Sequence, residues 1–279
     1  MFKTISKGVM SGPCPFCNSV AFKYLEIERW VFLCHGCQRN YPWDKIESPK
    51  KKDRQRPNVN FNSLLQFCTK LSDLPKDHFC LKYVQARKIP KSRYEKLFFT
   101  ERMGDLASPT EHENIQNGSP YLILPFMNVK GELFGLQGRS LDKEEARLRY
   151  LTLIYDKSED RIFGLDFADT SKPFVVLEGP IDSLFLDNAV AMAGSDGLPL
   201  KYMKNAIVCF DNEPRNRFTV AKMRKYLKNG FKIVIWPQKI TENDVNDMVL
   251  NGREVNSLIT ENIYEGLHGK IQLDKWNKT

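Results

Sequence analysis

From Pro173 onward the apolar positions fall into short blocks separated by longer amphipathic stretches. Phe174–Leu177, Ala189–Ala193, Ala206–Phe210 and Phe231–Trp236 are apolar runs of strand length. Ile181–Asn188 has helical spacing, and Phe218–Asn229 is an amphipathic helix that stops at Gly230. Such alternation predicts a parallel sheet covered by helices. Upstream, Tyr121–Phe126 and Leu133–Arg139 flank the turn residues Asn128–Gly131 and read as a hairpin, with Leu148–Ile154 as a third strand. Phe61–Arg102 is patterned as helix at Leu64, Leu65, Phe67, Cys68 and Leu71, and a second helix is expected around Phe79–Arg87. Met103–Ser119 is polar and reads as a loop. No internal repeat is present.

The N-terminal part is different. Pro13–Asp44 is dense in Cys and aromatic residues but lacks the apolar periodicity of a core, so it needs a cross-link. Ser48–Asn60, SPKKKDRQRPNVN, is charged and bounded by prolines, as a linker is. It carries Lys50, Lys51, Lys52, Arg54 and Arg56. The expected organisation is a metal-binding module at 1–47, a basic linker at 48–60, a mixed middle region at 61–172 and the strand–helix region at 173–279. The last includes a short amphipathic tail around Val255–Leu267.

Composition narrows the classes. With 279 residues, 42% of them hydrophobic, the chain can build about two domains and is not a disordered polymer. No apolar run approaches the ~18 residues of a membrane span, and Met1–Gly12 lacks a signal-peptide core. An intracellular, cytoplasmic protein without a membrane partner is expected. The net charge of +8, from 42 basic and 34 acidic residues, is a moderate excess that suits a polyanionic partner.

Seven cysteines, an odd number, argue against a closed disulfide framework. Cys14, Cys17, Cys34 and Cys37 form two C-x2-C pairs separated by sixteen residues. Each pair can offer two thiolates to one ion, and the two pairs close a tetrahedron around one structural Zn²⁺. A redox role is disfavoured, because neither pair opens a helix in a βαβ pattern. Val20–Leu33 alternates well enough for a small antiparallel sheet. His35 reads as exposed, and Cys68, Cys80 and Cys209 as ordinary semi-buried residues. Lys23, Arg29, Trp30, His35, Arg39, Tyr41 and Trp43 mix basic residues with aromatic rings, a combination suited to single-stranded nucleic acid, although Trp30 and Trp43 equally fill a small core.

Acids gather at strand ends. Glu178 follows Phe174–Leu177 directly, in VVLEGPIDSL. Ala206–Phe210 ends in Asp211-Asn-Glu213, and Asp244 and Asp247 follow the strand that ends at Trp236. Ligands of open α/β sheets bind at this edge. Clustered carboxylates repel unless a cation lies between them, and oxygen-only ligation selects Mg²⁺ or Mn²⁺. Asp182 reads more simply as a first-turn helix residue.

The EG after one strand, the Asp-x-Glu after a later one and the final acids resemble the TOPRIM domain. The order of four-cysteine module, basic linker, mixed middle region and TOPRIM resembles the bacterial-type DNA primases. VVLEGPIDSLFLDN, MAGSD and CFDNEPRN are similar to the primases of T-even-type bacteriophages. Gly138-Arg139, Arg149-Tyr150-Leu151 and Phe163-Gly-Leu-Asp-Phe are similar to the polymerase region of those enzymes. The resemblance implies an α+β / α/β fold: a four-cysteine zinc ribbon, a mixed middle domain and a TOPRIM-type parallel sheet flanked by helices. It implies synthesis of short RNA primers on single-stranded DNA from ribonucleoside triphosphates, for lagging-strand replication. It further implies Glu178 as general base or metal ligand, Asp211 and Glu213 as the metal-binding pair, and Asp247, more readily than Asp244, as the last acid. Arg139 and Arg149 would hold nucleotide phosphates. A hexameric replicative helicase is the implied protein partner.

The main competitor is a recombination mediator that joins a zinc module to TOPRIM and binds DNA without catalysis. Such a chain has no need of the Arg139/Arg149 region. A topoisomerase needs a separate domain with a nucleophilic tyrosine, for which there is no room. A zinc-ribbon protein with an inert TOPRIM scaffold is the blandest alternative.

Overall fold

Within the first 60 residues, the computed structural model describes the backbone of β1 (Lys3–Ser6), β2 (Val9–Pro13), β3 (Val20–Glu26), β4 (Arg29–Cys34) and β5 (Asn40–Pro42). Beyond them it describes residues 61–279 apart from 111, 113, 143–148 and 193–196. The chain divides into two units, Met1–Val59 and Asn60–Thr279.

In the first unit β1 to β5 form one antiparallel sheet in sequence order. The hairpin expected in Val20–Leu33 is β3–β4, with Ala21 opposite Cys34. Pro13 pairs with Val20, and Leu33 with Asn40. The strand ends that flank both C-x2-C pairs therefore share one end of the sheet. Cys14, Cys17, Cys37 and the Cys34 side chain lie outside the described residues, as do His35 and the basic residues Lys50, Lys51, Lys52, Arg54 and Arg56.

The second unit opens with a 3-10 helix over Phe61–Phe67, then β6 (Thr69–Lys70), α1 (Phe79–Ala86), a 3-10 helix over Lys91–Lys96, β7 (Phe98–Thr100) and α2 (Met103–Ala107). The long hairpin follows as β8 (Tyr121–Met127) and β9 (Leu133–Ser140), with β10 (Tyr150–Ile154) beside it. These strands make an antiparallel sheet in the order β10-β9-β8-β7-β6. Asn128 organises the hairpin turn: its side-chain oxygen accepts from the N–H groups of Lys130 and Glu132, both at 3.0 Å. Gly131 takes the left-handed φ of +75° that the turn requires.

Two expectations are corrected here. Phe61–Arg102 is not continuously helical, because β6 and β7 extend the hairpin sheet. Nor is Met103–Ser119 simply a loop: α2 buries Met103 and Leu106 against Ile123, Leu136 and Leu153. Five residues are too few for a helical period to stand out from the polar sequence around them.

The third sheet contains β11 (Phe174–Leu177), β12 (Ala189–Ala191), β13 (Ala206–Val208), β14 (Lys232–Val234) and β15 (Ile263–Tyr264), in the order β12-β11-β13-β14-β15. The first four are mutually parallel, as expected, whereas β15 is antiparallel to β14. Around them lie α3 (Pro180–Ser183), α4 (Arg217–Lys228), α5 (Val245–Leu250), α6 (Val255–Thr260) and α7 (Gly266–Trp276). The tail expected around Val255–Leu267 is thus α6, an edge strand and the start of α7. The helix expected over Ile181–Asn188 stops at Ser183. Its last turns tighten to i→i−3 bonds, and Arg93 takes the freed carbonyls of Leu184 and Leu186 at 3.3 and 2.6 Å.

One buried cluster joins the hairpin sheet to the parallel sheet through Phe126, Phe134, Phe163, Phe174 and Val176. Phe163 also exchanges backbone hydrogen bonds with Ala191 of β12 at 2.9 and 3.0 Å. Cys80 and Cys209 belong to this core and Cys68 is half-buried, so two of these three cysteines are more buried than expected. Among the described residues no helix is long and apolar enough to cross a membrane.

Candidate active site

Parallel strands that start together end together, so the loops after β11, β13 and β14 reach one edge of the sheet. Glu178 follows β11. Gly179 comes next because a Cβ there would lie 2.7 Å from Asp182 Oδ2. Pro180, pre-set for helix at N1, then opens α3. This EGP turn brings the Asp182 carboxylate back against the strand end.

At this edge four carboxylates act on a fifth, Asp211. Burial, and then the charges of Asp182, Glu178, Asp244 and Glu213, push Asp211 up to about 8. Asp182 is pushed up to about 7 by burial and by Asp244, against the opposing effects of the Asn246 N–H and of Arg87. Buried Cys209, beneath them, has its thiol raised by burial and then by Asp211, Asp182 and Glu178. Glu178 Oε1 accepts a hydrogen bond from Lys222 Nζ of α4 at 2.9 Å. Asp182, which reads from sequence as a helix-turn residue, is a full member of the cluster.

The last acids separate. Asp244 is the N-cap of α5, accepting from the Asp247 N–H at 2.7 Å, and it acts on both Asp182 and Asp211. Exposed Asp247 is raised by burial and by Asp244, and no such link joins it to Asp211 or Glu178. Glu213 is committed elsewhere: Oε2 accepts from Asn216 Nδ2 at 2.7 Å and from Thr219 Oγ1 at 2.9 Å, at the start of α4. Its influence on Asp211 is the smallest of those named. Beside Glu213 a cleft of about 550 Å³ opens between residues 212–216 and 237–243, with Trp276 and Lys278 on its wall.

The loop carrying Asp211 is held from behind. Asn212 donates to the carbonyls of Ile240 and Glu242, both at 3.0 Å, and accepts from Trp276 Nε1 at 3.2 Å. Glu242, 7% exposed, accepts from Arg253 Nε at 2.8 Å, which anchors the loop that leads to Asp244.

Basic residues come from the hairpin sheet. Arg139 stands opposite Tyr150 in the β9–β10 register, with its guanidinium 4.6 Å from the Tyr150 ring centroid. Its Nε is buried without a hydrogen-bond partner. Exposed Arg149 lies beside it, its carbonyl accepting from Ser140 N–H at 3.1 Å. Burial raises the Tyr150 hydroxyl, which also interacts with Arg139, Tyr83, Arg87 and, more weakly, Asp182. Tyr150 and Arg87 thus link the basic hairpin to the acid edge, a role not read from the sequence.

Among the described residues no three His, Cys, Asp or Glu groups are arranged to hold a metal ion as they stand. The donor set nevertheless fits a hard divalent cation: oxygen only, with Asp182 and Asp211 raised by burial first and by neighbouring carboxylates second.

A curated DNA primase of Enterobacteria phage T4 is 32% identical over 244 residues, covering 84% of this chain and 70% of the phage protein. The chain belongs to the family of that enzyme, the bacterial-type DNA primases. No family model matches the sequence. The primase fold is seen in solved structures as well. The Aquifex aeolicus primase, comprising zinc-binding and RNA polymerase domains, matches with a TM-score of 0.53 at 17% identity, over 94% of this chain and 80% of that one. The RNA polymerase domain of Mycobacterium tuberculosis primase matches with a TM-score of 0.55 at 16% identity, over 75% and 84%. A primase catalytic domain bound to single-stranded DNA matches with a TM-score of 0.53 at 17% identity, over 72% and 76%. As a primase relative, the chain is an enzyme of the nucleic-acid-processing kind with a mixed α/β catalytic core.

Proposed function

We propose that this protein is a DNA-directed RNA polymerase that makes short RNA primers on single-stranded DNA, with divalent metal held at the acid edge. The observation that carries this is the convergence of Glu178, Asp182 and Asp244 on Asp211 beside the Arg139–Tyr150 hairpin. Glu178, Asp182, Asp211 and Asp244 would hold Mg²⁺ or Mn²⁺, with Asp247 adjoining; Glu213 would have to leave Asn216 and Thr219 to join them. Bound there, the metal would make a 3′-hydroxyl more acidic and neutralise triphosphate charge. Arg139 and Arg149 would hold phosphate oxygens, for which guanidinium geometry is suited. Tyr150 holds the Arg139 plane, and Lys222 keeps Glu178 in place until substrate arrives.

In the first unit, Cys14, Cys17, Cys34 and Cys37 would hold one structural Zn²⁺. The shared sheet end of the flanking strands, and a thiolate donor set, support that reading. The zinc module and the basic residues Lys50 to Arg56 would engage single-stranded template, the latter through salt-dependent phosphate contact. The DNA-bound primase structure supports a single-stranded partner. Ribonucleoside triphosphates as substrates, a replicative helicase as partner and a cytoplasmic setting follow from the family likeness.

Incorporation of labelled ribonucleotides on single-stranded DNA tests the proposal. Wild type should make primers only with Mg²⁺ or Mn²⁺, and Glu178→Gln should make none while still binding DNA. A wild type that binds DNA but never synthesises would favour the mediator reading.

A further inference from the structure

The carboxylates at the sheet edge come from three loops, but the helix that presents the last of them is fastened from α1, in the hairpin half of the unit. We infer that Asn246, clamped by Arg87, is a positioning residue for the metal-holding carboxylates; this rests on the metal reading proposed above. Asn246 is 2% exposed. Arg87 Nη1 donates to its Oδ1 at 2.5 Å, and its Nδ2 donates back to the Arg87 carbonyl at 2.9 Å. Both ends of the amide are therefore used on one residue. The backbone N–H of Asn246 donates to Asp182 Oδ1 at 2.9 Å. A single buried residue thus touches the end of α1 with its side chain and a metal-edge carboxylate with its main chain.

A second strut comes from the next residue. Lys88, in the left-handed region with φ of 58°, directs Nζ to the carbonyls of Val249 and Leu250 at 3.4 and 3.3 Å. Consecutive residues of α1's terminus therefore hold both ends of α5. With six residues, α5 is far below the length at which a helix is stable alone. Its placement, and with it the position of Asp244 relative to Asp182, rests on these contacts together with its buried Val245 and Met248. An amide suits the task because it accepts from the Arg87 guanidinium and donates to the Arg87 carbonyl without adding charge to a crowded acidic edge. Arg87 is itself oriented, its guanidinium 5.1 Å from the Tyr83 ring centroid.

The test uses the full chain without nucleotide or template and titrates it with Mn²⁺, following the free ion by electron paramagnetic resonance. Asn246→Ala changes no charge, so altered affinity reports positioning. Loss of a group that orients metal ligands typically weakens binding by about 10–100-fold, and that rise in dissociation constant is expected here. Thermal unfolding, recorded in parallel, should stay cooperative. If the alanine variant does not fold, Asn246→Ser, which leaves a smaller void and keeps a hydroxyl, is held to the same criterion. A folded variant that binds Mn²⁺ as tightly as wild type, even with a lower melting temperature, overturns the positioning role and leaves the acid site standing. A wild type that binds no Mn²⁺ overturns the metal reading itself.

Discussion

Lys222 reaches from α4 to donate to Glu178 at 2.9 Å, so the glutamate at the end of β11 is held by a cation from the protein itself. The pair is partly solvated, with side chains 58% and 25% exposed, and such pairs contribute at most about 1 kcal/mol. Lys222 and a divalent ion would compete for the same oxygen. Lys222→Ala should lower stability only slightly and shift the Mg²⁺ half-saturation of primer synthesis to lower concentration. A Mg²⁺ titration of initial rates checks this; an unchanged or higher half-saturation would count against the competition.

The raised Asp182 and Asp211 make a signed prediction for pH. Their folded values of about 7 and about 8 lie above the ordinary 3.8, so the folded metal-free protein binds protons that the unfolded chain releases. That stability is fully present below about pH 4 and is lost as pH rises through about 7 to 8. Glu242, lowered to about 2 chiefly by its hydrogen bond with Arg253, changes only at acid pH and leaves this window clear. Urea midpoints without metal should fall between pH 6 and pH 8.5, and Asp211→Asn should flatten the fall. Added Mg²⁺ should restore most of it at the alkaline end.

Asp244 and Asp247 can be ranked. Asn caps a helix about as well as Asp, so Asp244→Asn keeps α5 while removing the charge that acts on Asp182 and Asp211. Asp244→Asn should cost primer synthesis roughly 100-fold or more, the usual scale for losing one electrostatic group in an active site. Asp247→Asn should cost less than about tenfold, a bound set by its exposed position. Steady-state rates at saturating Mg²⁺ decide, and the reverse order would return the last acid to Asp247.

The anchor behind Asp244 should be structurally costly to cut. Glu242 is 7% exposed and takes its main bond from Arg253, which is itself 41% exposed. Arg253→Ala should destabilise by about 2 kcal/mol, below the roughly 3–5 kcal/mol of a fully buried pair. Adding Glu242→Gln should recover part of the loss, because no buried charge is then left alone. Chemical denaturation of the single and double variants tests the pairing.

Zinc should matter to the first unit alone. Cys37→Ser, or a strong chelator, should abolish the one expected equivalent of bound zinc and the start-site preference of synthesis. It should leave the melting transition of Asn60–Thr279 within about 1 kcal/mol of wild type, as for a change outside its core. Metal analysis with differential scanning calorimetry separates the outcomes, and a metal-free wild type with an intact first unit would rule zinc out.

The sequence by itself determined the β8–β9 hairpin, the parallel strands from β11 to β14 and the edge at which Glu178 and Asp211 meet. These follow from nearest neighbours along the chain. Apolar runs select strands, Asn128 and Gly131 turn the hairpin, and an acid directly after a strand stands at that strand's end. Tertiary structure alone decided the rest. Asp182 joined the acids where Gly179 leaves room for its carboxylate, and the carbonyls of Leu184 and Leu186, just past α3, are taken by Arg93. Asp244 rather than Asp247 was brought to act on Asp211. Arg87 meets Asn246 across 159 positions of chain. Local periodicity carries no record of such a pairing, because its energy comes from groups brought together only when the two sheets share one core.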